Sequence, residues 1–131
     1  MQVKGIIWVG SATEELNETA AFFAQHLGMK ITDEVPGFTR LVTQNGDRVE
    51  LFGPNSVEHD HLDTGPVAGF WVDDVEEAQR ELQNAGVDGV TDLEHGPDGH
   101  RWFYFRAPDG RFYELCEHPR PRPAKGGLSW D

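Results

Sequence analysis

The sequence predicts an α+β domain built from two tandem βαβββ modules, and three observations predict it. The order of hydrophobic periodicities (strand, amphipathic helix, three short strands) occurs twice along the chain. The halves also align residue by residue. Arg48-Val49-Glu50-Leu51-Phe52 matches Phe112-Tyr113-Glu114-Leu115-Cys116 at an offset of 64, and Leu27-Gly28 stands against Ala85-Gly86 at an offset near 59. Finally, 131 residues suffice for one hydrophobic core but not for two independent ones. A repeat of this size therefore means two equivalent units sharing a core. The expected layout is a single domain over residues 1–118, with modules at 3–53 and 66–118 and a polar linker at 54–65. A Pro- and Arg-containing tail follows at 119–131.

Each element has its own signal. Residues 3–10 are rich in β-branched and apolar side chains and read as a strand. Residues 13–27 follow as a helix whose stripe is Leu16, Ala20, Phe23 and Leu27, with Thr13 suited to its start and Gly28 to its stop. Strands are expected at 30–35, 38–44 and 48–52, separated by Pro36-Gly37 and by Asn45-Gly46, a strong hairpin signal. In the second module a strand at 67–72 leads to a helix at 75–85 ending at Gly86. Strands are then expected at 87–92, 101–106 and 111–117, the last two joined by the turn Pro108-Asp109-Gly110.

Composition narrows the function classes. Eleven Lys and Arg stand against 23 Asp and Glu, a net charge of −12, so no basic face is available to neutralise phosphates and nucleic acid is not an expected partner. No apolar run reaches the ~18 residues that a membrane span needs. The N-terminal stretch lacks the long apolar segment of a signal peptide, and Cys116 is the single cysteine. The expected setting is the cytoplasm.

Three phrases in the right order within this repeat carry a family resemblance: Phe22-Phe23 followed by Leu27-Gly28-Met29, then Val72-Asp73-Asp74-Val75, then Phe103-Tyr104-Phe105 with Pro108-Asp109-Gly110. With them the chain resembles the vicinal oxygen chelate superfamily, the glyoxalase/bleomycin-resistance/extradiol-dioxygenase fold, although Ala107 stands where the family's hairpin has Asp. The resemblance implies two modules side by side in an open, U-shaped barrel with a central cleft. In the family's enzymes the cleft holds a divalent metal on a His from each first strand and a Glu from each last strand. Carried over, the acids fall on Glu50 and Glu114, but the His positions fall on Trp8 and Val67, which cannot ligate. The resemblance thus implies no metal and no cofactor at that set, since a catalytic transition metal usually has at least three protein ligands.

Strand alternation says what lines the cleft. With Glu50 and Glu114 pointing in, Arg48, Phe52, Phe112 and Cys116 point in as well; Trp8 brings Ile6 and Gly10, and Val67 brings Gly69 and Trp71. On 101–106, Trp102 and Tyr104 are placed in the cleft and Phe103 and Phe105 in the core. The expected ligand-binding set is Trp8, Arg48, Glu50, Phe52, Val67, Trp71, Trp102, Tyr104 and Glu114. Cys116 reads as a buried, inert thiol. His59 and His61 fall in the linker, and His95 and His100 flank the turn at 96–99. Whether any of these four histidines reaches the cleft stays open.

The function expected is that of a glyoxalase/bleomycin-resistance-like protein binding a small organic molecule, aromatic or cationic, in an indole-lined acidic cleft. One alternative is a lyase- or isomerase-type enzyme using Glu50 or Glu114 as general base, or an unusual metal site. A second is a protein-binding module with a vestigial cleft. A homodimer is the expected assembly, since members of this fold commonly pair and module-edge strands need covering.

Overall fold

A computed structural model describes residues 1–54, 62, 65–97 and 99–117. His59, His61, most of the linker and the whole tail lie outside the described residues. The chain runs β1 (Gly5–Ala12), α1 (Leu16–His26), β2 (Lys30–Val35), β3 (Phe38–Val42), β4 (Arg48–Phe52), then β5 (Val67–Trp71), α2 (Val75–Asn84), β6 (Glu94–His95), β7 (Arg101–Arg106) and β8 (Phe112–Cys116). Both halves are βαβββ. The eight strands among the described residues form one mixed sheet in the order β2-β3-β4-β1-β5-β8-β7-β6, curled into a half-barrel. That order reads the same from either end once the modules are exchanged. The modules join through the antiparallel pair β1–β5, and in each the first strand runs parallel to the last.

The helices cover the outer face. Ala20 of α1 is buried with Leu41 and Leu51, while Leu16 and Phe23 pack against them. On the other side Val75 and Ala78 of α2 close over Val72, Phe103 and Leu115. Asp74 caps α2 by accepting from the Glu77 N–H at 3.1 Å. The α1 helix starts three residues later than the sequence suggests, because Thr13 Oγ1 accepts from the Glu15 N–H at 3.0 Å and holds a turn ahead of the helix. Leu27 falls past the last helical turn and is exposed, so it drops out of the apolar stripe; Gly28 ends the helix at φ +70° as expected.

The strand expected at 87–92 is displaced, and the regular ladder there is the two-residue β6. The segment does run along β7: Arg106 N–H donates to Asp88 O and Thr91 N–H to Tyr104 O. Gly89, at φ +67°, breaks the alternation between them, and Thr91 Oγ1 takes the Tyr104 N–H in place of a backbone carbonyl. Leu62, in the stretch read as a polar linker, is fully buried against Trp8, Phe52, Val67 and Tyr104. No helix among the described residues is long and apolar enough to cross a membrane.

Candidate functional site

The concave face of the sheet holds a cavity of about 350 Å³. It takes Trp8 from β1, Arg48, Glu50 and Phe52 from β4, Trp102 and Tyr104 from β7, and Glu114 from β8. These seven were expected from the resemblance and strand alternation together. Arg40 of β3, His100 and the Gly96-Pro97 turn complete it; Arg40 and the turn were not foreseen, and His100 is one of the histidines whose reach the sequence leaves open.

Two expected residues sit elsewhere. Val67 is buried beneath Trp8, Phe52 and Leu62 and does not reach the cavity wall. Trp71 lies at the far end of β5, opposite Gly5, where it packs with Ile7 and Cys116 under the Lys4 ammonium. A register shift between Ile6 and Trp8 turns Ile7 into this cluster and leaves Ile6 exposed, so Ile6 also misses the cleft.

One glycine in each module makes room for the site. Gly10 pairs with Glu50 across β1–β4, and Gly69 pairs with Glu114 across β5–β8. The Trp8 indole lies over Gly10 where any Cβ would stand, and a Cβ on Gly69 would come 2.9 Å from Glu114 Oε1. The indole is thereby laid flat, and Trp8 Nε1 donates to Glu50 Oε1 at 2.8 Å. Arg40, directly opposite Glu50 on β3, donates from Nε to Glu50 Oε2 at 2.6 Å and from Nη1 to Asp33 at 3.0 Å. Both Glu50 oxygens are committed to this clamp.

Glu114 is the opposite case. It is 2 % exposed, and its Oε1 is buried with no hydrogen-bond partner among the described residues. Burial pushes its pKa up to about 8; the Cys116 thiol and Tyr104 hydroxyl beside it offset only part of that, and Glu50 adds to it. At neutral pH Glu114 is therefore mostly a neutral acid. Burial, and then the neighbouring Glu114, raise the Tyr104 phenol and the Cys116 thiol as well.

The metal set implied by the resemblance does not fit these residues. Indole and isopropyl stand at the His positions, and Glu50 already has both oxygens engaged. A different trio is present: His100, Glu114 and Cys116 bring donor atoms within 4.8 Å of one another. His100 stacks on Trp102 with ring centroids 5.1 Å apart, whereas His95 is exposed on β6. Continuing the alternation of Tyr104 and Trp102 back by two residues reaches His100, a signal that the turn at 96–99 obscured.

Several solved structures share this architecture. A superfamily member from Vibrio splendidus is 23% identical at a TM-score of 0.66, covering 87% of this chain and 98% of its own. A methylmalonyl-CoA epimerase from Mycobacterium tuberculosis is 22% identical at 0.68, covering 95% and 91%. One from Streptomyces coelicolor, in complex with 2-nitronate-propionyl-CoA, is 20% identical at 0.69, covering 94% and 100%. At such identities the likeness establishes the fold. A search of curated proteins gives no match. The model of the Glyoxalase/Bleomycin resistance protein/Dioxygenase superfamily matches residues 5–115, and the chain belongs to that superfamily.

Proposed function

We propose that the protein binds a small, planar organic molecule in the central cleft through its own side chains, without a metal at the four positions the resemblance marks. The observation that carries this reading is the aromatic cavity with its few convergent polar groups, the usual make-up of a small-molecule site. Trp8, Trp102 and Tyr104 offer ring faces and edges, and Glu114 offers a proton to donate. The same lining carries two arginines, Arg40 and Arg48, with Glu50 in an ion pair with Arg40. The charge of the described lining thus favours an aromatic ligand that is neutral or anionic over the cationic one that composition suggests.

Titration of tryptophan emission with 2-naphthoate, benzoate, phenyltrimethylammonium and methylmalonyl-CoA tests this. Saturable binding of at least one compound is expected, and Trp102→Ala should weaken it by about 1–3 kcal/mol while the protein stays folded. Absence of binding across the panel contradicts the reading and favours a vestigial cleft. We also take the protein to be cytoplasmic and a homodimer, the pairing supported by exposed Ile6, Phe22 and Leu27; light scattering giving a monomer mass at micromolar concentration counts against the dimer.

Glu114 also favours a second reading, an enzyme of proton-transfer type. A cavity-facing acid with a pKa about 8 can hold or accept a proton near physiological pH. Glu50, fixed by Arg40 and Trp8, is then a positioning group rather than the base. Solvent deuterium entering methylmalonyl-CoA in the presence of wild type, but not of Glu114→Gln, is the result this reading requires.

A further inference from the structure

We infer that His100, Glu114 and Cys116, where the cleft wall meets the Trp71 cluster, form a binding site for one divalent transition-metal ion. The site goes beyond small-molecule binding and shares only Glu114 with the metal positions that the resemblance implies.

The fold brings the three together by register. Glu114 and Cys116 are two apart on β8 and so share its concave face. Cys116 pairs with Trp102 across β7–β8, and His100 stacks against that same Trp102. The imidazole is thereby held beside the β8 pair, with the three donor atoms within 4.8 Å of one another. Bonds of about 2.0–2.3 Å around a tetrahedral ion set donors roughly 3.3–3.8 Å apart, so a closure on the order of 1 Å completes the geometry. His100, half-buried and next to the cavity mouth, has the room to supply it.

A second observation points to a ligand on Glu114. The residue is almost wholly buried, and its Oε1, which lies 2.9 Å from where a Gly69 Cβ would stand, has no hydrogen-bond partner among the described residues. Buried polar atoms are rarely left in that state, and an absent ion is one of the standing reasons for it. One nitrogen, one carboxylate oxygen and one sulfur suit a borderline ion such as zinc, cobalt or nickel over magnesium or calcium. Three protein ligands leave one position open. Because His100 and Glu114 line the cavity, that position faces the space where an organic ligand would sit. The carboxyl and the thiol each give up a proton to solvent on binding, so two protons leave per ion bound and affinity rises with pH.

Cobalt(II) added to chelator-treated, dialysed protein, with no organic compound present, is the test. A near-ultraviolet thiolate-to-cobalt charge-transfer band should appear together with the intense visible bands of a four-coordinate ion, saturating at one equivalent. Cys116→Ser should abolish the charge-transfer band. His100→Gln, which alters a half-buried residue and leaves the core intact, should weaken binding roughly tenfold or more. Absence of the band in the wild type, or its persistence in Cys116→Ser, overturns the site. Should Cys116→Ser fail to fold, unchanged cobalt affinity in His100→Gln overturns it equally. The organic-ligand reading is untouched by either outcome, since the emission titration is run on metal-free protein.

Discussion

Replacing Trp8 by alanine is expected to destabilise the protein by about 3–5 kcal/mol, the range for removing a large buried aromatic. Trp8 lines the cavity and also belongs to the central cluster with Phe52, Leu62, Val67 and Tyr104. Its indole fills the volume above Gly10 and touches Gly69, two positions with no side chain to collapse into the gap. The lost Nε1 donor leaves Glu50, among the described residues, with its bond to Arg40. A urea melt of the variant measures the effect. A loss under about 1 kcal/mol would mean that the indole is only a cavity wall, and Trp8→Phe, which restores ring volume but not the donor, separates packing from the hydrogen bond.

The second large effect is a pH dependence centred on Glu114. Its carboxyl titrates near 4.5 in an unfolded chain and about 8 in the folded one. Below pH 4.5 both states hold the proton. Between these values the unfolded chain has released it and the folded protein has not, so stability falls as pH rises through this window. Glu114→Gln removes the titration while keeping shape and neutrality. The variant should match the parent near pH 4 and exceed it by roughly 3–5 kcal/mol near pH 9, in the presence of chelator. Paired urea melts at the two pH values measure the difference and cancel every other titrating group. Parallel curves for parent and variant would show that Glu114 reaches water and ionises normally.

The repeat made most of the fold legible. Bounds of β4 and β8 follow from the offset of 64 between Arg48–Phe52 and Phe112–Cys116, and the β1–β4 and β5–β8 registers tie Glu50 and Glu114 to equivalent glycines. The resemblance and alternation together then put seven side chains on the cavity wall. What escaped was whatever depends on more than parity. Trp71 has the right face but the wrong height along the strand, and the length of a cleft is not written in a periodicity. The residue opposite Glu50 could not be read from Asn45-Gly46 as a two-residue turn, which would set Leu51 against Arg40. The loop instead closes with Thr43 N–H donating to Asp47 O, so Arg40 faces Glu50. A shift of one residue exchanges the two faces of a strand, so the clamp on Glu50 depended on that single turn. His100 and the β6 displacement share a cause: turn glycines, Gly89 among them, interrupt the pattern that would have located the residues beyond them.

The most direct test of ligand binding in the cleft reads the indole N–H signals of Trp8, Trp71 and Trp102 in a nitrogen-15 correlation spectrum, assigned with single Trp→Phe variants. Trp8 and Trp102 line the cavity; Trp71 packs outside it with Ile7 and Cys116. With 2-naphthoate, or whichever compound of the panel binds most tightly, the Trp8 and Trp102 signals should move together along one saturation curve while the Trp71 signal stays in place. A titration that moves only Trp71, or a full panel that moves neither Trp8 nor Trp102, would contradict the account.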